Sequence, residues 1–140
     1  MHLTRAELAF IRAARSAHLA TVDAEGQPHV VPICFAFDGC QLYSAIDEKP
    51  KTTAPRKLKR VRNISLNPKV AIVVDRYDED WQRLAYILLF GKARLLHKGA
   101  EHKAAVALLR RKYRQYRSMA IDARPIIRVS PARAVCWGVF

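Results

Sequence analysis

Short strand-like runs recur along this chain, and most are separated by only a tight turn. That spacing constrains the fold more than any other feature. "HLATV" ends at Val22, "DAEGQP" follows, and "HVVPICFAF" resumes the extended pattern. "DGCQ" then leads into "QLYSAI". Further on, "NPKVAIVVDRY" and "LAYILLFGKARLLH" flank the acidic turn "YDEDWQR", and "IIRVSPARAVCWGVF" closes the chain. The runs are rich in β-branched and aromatic residues and the breaks in Gly, Pro and Asp, which is the signature of antiparallel hairpins. Six strands are predicted. Pro32 cannot donate to a ladder, so its strand belongs at an edge or carries a bulge. Gly91 marks a bulge or kink in the fifth strand, and Pro131 interrupts the last.

Helical spacing appears in three places. Thr4 and Glu7 form a capping box, followed by Leu8, Ile11 and Arg15 on one side. A short helix is predicted over 56–66, with Leu58, Val61 and Ser65 facing inward. A third lies behind Gly99, through "AEHKAAVALLRRKYRQYR". Hairpins with peripheral helices predict a mainly β protein, a six-stranded barrel in one domain over 1–140. With 51% hydrophobic residues, such a chain can build its core without disulfide staples. The three cysteines, Cys34, Cys40 and Cys136, form no CxxC pair, which fits a reducing cytoplasm. "LAYILLF" is too short to span a bilayer, and the charged N-terminus has no signal-peptide core. The expectation is a soluble cytoplasmic protein with no membrane partner.

The charge balance is +13, from 25 basic and 12 acidic residues, so an anionic partner is expected. The excess is concentrated in "KPKTTAPRKLKRVRN", residues 49–63, with seven Lys or Arg and no carboxylate. Like charges this close repel one another, so the segment is either a solvated basic face or the seat of a bound anion.

The ordered series of elements resembles the split β-barrel flavin and deazaflavin oxidoreductases, the pyridoxamine 5′-phosphate oxidase-like class. The resemblance rests on "LATVDAEGQPHVVPICFAFDG", "LYSAIDEKPK", "RKLKRVRNISLNPKVAIVVD", "DEDW", "FGKARLL" and "CWG", and covers nearly the whole chain. Within the class it is most similar to the branch dependent on the deazaflavin coenzyme F420. The resemblance implies a homodimer with a cofactor cleft between subunits and hydride transfer to or from a small organic substrate. It also implies that the basic segment binds the cofactor's phosphate, and in F420 the acidic tail. By position, Lys59 and Arg60 fall where the oxidases have a phosphate-binding pair, with Lys57 beside them. Tyr43 and Ser44 fall where a Tyr-Thr pair meets phosphate and ribityl chain. Lys49 and Lys51 suit a longer anionic tail. Val31, Pro32, Ile33 and Cys34 would form the ring platform, in a stretch running to Ala36. The oxidases have Arg and Lys where this chain has Val31 and Ala36, which argues against pyridoxamine phosphate oxidation. FMN remains the alternative cofactor, in an oxidase, a reductase or a flavin store.

A different class is also open, a basic nucleic-acid-binding module. "RRKYRQYR" interleaves arginines with Tyr113 and Tyr116, a pattern that can grip single strands. The plainer reading packs both tyrosines down and leaves the arginines in water; it predicts weak, salt-sensitive attraction and no specific complex. The five histidines form no HxH or HExxH pattern, so no metal site is expected. His29 lies on the proposed cofactor strand, where an ordinary strand residue is the plainer reading. No catalytic acid–base pair is evident, as expected where the cofactor carries the redox chemistry. Trp81 and Trp137 could wall a ring or pack in an interface.

Overall fold

The structure, a computed structural model, describes residues 1–47 and 58–140. Helix α1 is Arg5–Ala13, and the expected capping box is present, Thr4 Oγ1 accepting from the Glu7 N–H and Glu7 from the Thr4 N–H. Of the predicted face, Ile11 is buried and Leu8 half-buried. Arg15 lies beyond the helix end, donating to Lys112 O and resting over the Tyr113 ring.

Strands β1 (Ala17–Val22) and β2 (Pro28–Ile33) form the expected hairpin. Asp23 organises its turn by accepting the Glu25 and Gln27 N–H groups, both at 2.9 Å. β3 (Ala36–Phe37) and β4 (Leu42–Ala45) follow. Helix α2 is Lys59–Leu66, β5 Lys69–Arg76, β6 Ala85–Leu96, α3 Ala100–Lys112 and β7 Ile126–Gly138. Short 3-10 turns cover Trp81–Arg83, Arg114–Ser118 and Ile121–Ala123. All paired strands are antiparallel, in the order β2-β1-β5-β6-β7-β4-β3.

That order explains why the sheet curls. β2 and β3 are its opposite edges, yet only Cys34 and Phe35 separate them. Three Cα steps reach about 11 Å. A flat sheet of this width would hold its edges roughly 29 Å apart, at about 4.8 Å per strand gap. The sheet therefore bends into a half-barrel until its edges approach, and the barrel is split where the chain crosses. Here lies the difference from the predicted six strands: among the described residues there are seven, because the run "HVVPICFAF" leaves one edge and enters the other. Pro32 sits on an edge strand, as its missing donor requires. The Phe35 backbone at the crossing has no ladder partner on either side. Tyr113 supplies one: its hydroxyl accepts the Phe35 N–H at 3.0 Å and shares its own proton between Arg15 O and Phe35 O.

The barrel interior is filled by alternate residues, such as Val70, Ile72 and Val74 of β5, with Ile87, Leu89 and Phe35. A second cluster lies under α3, where Leu109, Tyr113 and Tyr116 cover Tyr43, Ala45 and Ile126. Both tyrosines of the second basic cluster are thus core residues, but the helix predicted to carry them ends at Lys112, and while Arg111, Arg114 and Arg117 are exposed, Arg110 and Lys112 are half-buried. The irregularity expected at Gly91 is present, but the extra residue is on the partner strand: Gly91 pairs with Pro131 and Phe90 with Arg133, so Ala132 of β7 bulges, and β7 runs on through Pro131, where an interruption was expected. On α2 the inward residues are Val61, Asn63 and Ile64. Ser65, expected inward, is exposed and donates to Val61 O, because the helix phase gives its place to the Val61–Ile64 pair. Among the described residues, no helix is long and apolar enough to cross a membrane.

Candidate functional site

A cavity of about 350 Å³ opens beside the split. The end of β2 supplies one wall with Val31, Pro32, Ile33 and Cys34. Ser44 and Ala45 of β4 stand opposite, and Arg60 enters from the first turn of α2. These elements meet only because the sheet has closed on itself. Of the sequence-predicted residues, the structure brings together Val31, Pro32, Ile33, Cys34, Ser44 and Arg60. Lys49, Lys51 and Lys57 lie outside the described residues.

Arg60 is the most distinctive group on this wall. Its Nε is buried and has no hydrogen-bond partner among the described residues. Desolvation lowers its pKa, opposed by the charge of Asp47, and a guanidinium stays protonated nonetheless. A buried donor without an acceptor costs free energy until something anionic or carbonyl-like meets it. The helix that carries Arg60 is fixed by two bonds to the β1–β2 hairpin. Asn63 Nδ2 donates to Thr21 Oγ1 at 2.9 Å, both residues being fully buried, and Lys59 Nζ pairs with Asp23 Oδ2 at 3.2 Å. The Gln27 N–H above all, with Lys59 adding, holds the Asp23 carboxyl below its usual pKa.

Two expected ligands are placed elsewhere. Lys59 is engaged with Asp23 and does not line the cavity. Tyr43 points to the opposite face of β4, under α3, where its hydroxyl donates to Glu101 at 3.1 Å. Strand alternation puts Tyr43 and Ser44 on opposite faces, and of Tyr43's face only Ala45, at the end of β4, reaches the cavity. Ser44 is at the cavity, yet its hydroxyl proton goes to Cys34 O at 2.9 Å. Its role in this structure is to hold the crossing backbone, leaving its oxygen free only to accept. The ring-edge stretch ends at Cys34: Phe35 is in the core, and Ala36 lines a different cavity.

Ser16, Ala45, Asp47 and Tyr116 also line the cavity, unforeseen from the sequence. Asp47 had a signal, as it follows "LYSAI" directly within a stretch that carries the resemblance. Tyr116 had none, since it read as a packed helix residue of the second basic cluster, whereas it lies in the 3-10 turn beyond α3. Burial, then the nearby Cys34 and Asp47, raise the Tyr116 pKa, so the phenol keeps its proton. His29 does not line the cavity, and its Nδ1 is buried without a partner among the described residues. Neither tryptophan reaches it: Trp81 is exposed, and Trp137 stacks on Tyr86 at 5.8 Å on the outer face of the sheet.

The family model for pyridoxamine 5′-phosphate oxidase matches residues 3–138. A 5a,11a-dehydrotetracycline/5a,11a-dehydrooxytetracycline reductase of Streptomyces rimosus subsp. rimosus is 29% identical, over 99% of this chain and 85% of its own. Among solved structures, the heme storage protein HutZ of Vibrio cholerae superposes with a TM-score of 0.75 at 17% identity, over 99% of this chain and 95% of its own. An F420 reductase superposes with a TM-score of 0.69 at 24% identity, over 95% and 98%. At these identities the superpositions show a shared fold. The family match from residue 3 to residue 138 shows that the chain belongs to the pyridoxamine 5′-phosphate oxidase family.

Proposed function

We propose that this protein is an oxidoreductase that holds coenzyme F420 in the cavity at the split and passes a hydride to or from a small organic substrate. The observation that carries the reading is Arg60, a half-buried cation whose Nε is buried with no partner among the described residues, on the wall of a cavity also lined by Val31, Pro32 and Ile33. A cation beside an apolar wall suits a ligand with an anionic end and a flat ring system. The reductase relative and the F420 reductase neighbour support the same reaction class. When bound, the deazaflavin supplies the hydride chemistry.

The chain's own residues would do the rest. Arg60 binds the phosphate, with Lys49, Lys51 and Lys57 assigned to the phosphate and acidic tail. Val31 to Ile33 press on the ring and exclude water. The Cys34 backbone, held by Ser44, borders the ring, and Asp47 accepts from cofactor hydroxyls. Tyr116 offers a protonated phenol at the cavity. Lys59 acts at one remove, by tying α2 to Asp23.

A second copy of the chain would complete the cleft. At about 350 Å³ the single-chain cavity is at the small end of the range for cofactor sites. Val30, Val135 and Trp137 lie exposed on strands of the sheet, an apolar surface that a partner would cover.

The test is parallel titration of the purified protein with F420, FMN and hemin, read by fluorescence and absorbance, with the mass of each sample taken by light scattering. F420 should bind most tightly, to a dimer. Equal or tighter FMN binding would turn the assignment to the flavin alternative. Preferential hemin binding would remove the redox reading, and a monomer at every concentration would remove the shared cleft.

A further inference from the structure

We propose that a second cavity, between α1, β3 and the C-terminal end of α3, binds a small carboxylate carrying an apolar or aromatic body. This cavity is about 470 Å³ and does not share the Arg60 site. Its apolar lining is Ala36, Phe37 and Leu108, and its cations are Arg12, Arg111 and Lys112. None of the three cations makes an ion pair among the described residues. Asp38 also lines the cavity, one carboxylate against three cations, and its Oδ1 is turned into its own loop, accepting the Cys40 and Gln41 N–H groups at 2.7 Å.

Lys112 gives the cavity its character. Its Nζ is buried, has no hydrogen-bond partner among the described residues, and lies 4.0 Å from the Phe35 ring centroid. Burial, with Arg15 adding to it, pushes the Lys112 pKa down to about 8. The ring face compensates only part of what an ammonium loses on leaving water. A carboxylate in the cavity would supply the missing acceptor, and the flexible lysine stem lets the ammonium turn from the ring to meet it. Cations in the last turn of α3 also complement its dipole. That effect does not account for Arg12, which α1 brings from elsewhere and whose guanidinium donates to Asp38 O at 3.0 Å. Nor does it account for the apolar lining. Charge on one side and hydrocarbon on the other select an amphipathic monoanion over free phosphate or a polyol.

The inference does not rest on the redox reading, and its test keeps the two apart. Sodium benzoate is titrated into the full chain and followed by 1H–15N NMR, with benzamide as the uncharged isostere. Benzoate should give saturable shifts centred on the Phe37 and Leu108 amides, and benzamide should not. Lys112→Met and Arg111→Ala should each weaken benzoate about tenfold or more, the loss expected for a charged hydrogen bond. Arg111 is exposed, so its variant keeps the fold and remains informative if Lys112→Met does not. Arg60→Ala should leave benzoate binding unchanged. The proposal is overturned by shifts that never saturate, by equal shifts with benzamide, by wild-type affinity in Arg111→Ala, or by a loss of benzoate binding in Arg60→Ala.

Discussion

Arg60→Ala should weaken cofactor binding about tenfold to a hundredfold without unfolding the protein. A hydrogen bond between charged groups contributes roughly 1.5–3 kcal/mol, which sets that range. The neighbourhood pushes the effect toward the upper end. Asp47 lines the same cavity, so the variant presents a carboxylate to an incoming phosphate with no guanidinium to offset it. The fold should be spared, because the buried Asn63–Thr21 bond and the Lys59–Asp23 pair still hold α2 in place. Arg114→Ala is the matched control, removing one charge from an exposed position in the second basic cluster. Fluorescence titration of both variants decides the matter. Equal losses would mean that the protein's overall field attracts the cofactor; no loss in either would place the cofactor elsewhere.

Gly91→Ala should damage the β6–β7 ladder severely. A Cβ at Gly91 would run into the Ser130 carbonyl oxygen and lie 2.9 Å from Pro131 Cα. Both are backbone atoms of the bulged partner strand, so no side chain can turn aside to make room. The β6–β7 ladder must open at the bulge, with an expected cost of about 3 kcal/mol, the upper end for overpacking. For a domain of this size that lowers Tm by about 10 °C. Gly26→Ala is the comparison, since Gly26 has φ 85° but nothing within 4 Å of its would-be Cβ. Backbone strain alone should cost it about 1 kcal/mol. Thermal melts followed by circular dichroism would discriminate. If the two variants melted together, close packing at the bulge would not be what requires glycine.

These two sites also show how differently their parts could be read. The Gly91 bulge, the Thr4–Glu7 capping box, the β1–β2 hairpin and the edge position of Pro32 were legible because each is local. A missing donor, a reciprocal cap or a short turn acts within a few residues, so the sequence around it carries the whole signal. Tyr113 and Tyr116 were read as packed helix residues; they are packed, but past the end of α3 and not on a helix face. The resemblance added the expectation that Val31 to Cys34, Ser44 and Arg60 belong together, and the folded chain does bring them to one cavity.

What the sequence determined by itself was therefore the kinds of the main elements and their order, but not all their ends: the third helix, predicted through "RRKYRQYR", stops at Lys112. The tertiary structure decided which of their side chains meet. Tyr43 and Ser44 are neighbours in sequence but face opposite sides of β4, and only Ser44 reaches the cavity. Lys59 and Arg60 are likewise adjacent, yet one pairs with Asp23 and the other enters the cavity. Ser16, Asp47 and Tyr116 join them from three separate parts of the chain. Even the count of strands depended on the break at Cys34–Phe35, which no residue there announces. Its cause is the closing of the sheet: two edges far apart in a flat ladder must meet across a two-residue crossing, and every group at that crossing takes its place from the curvature.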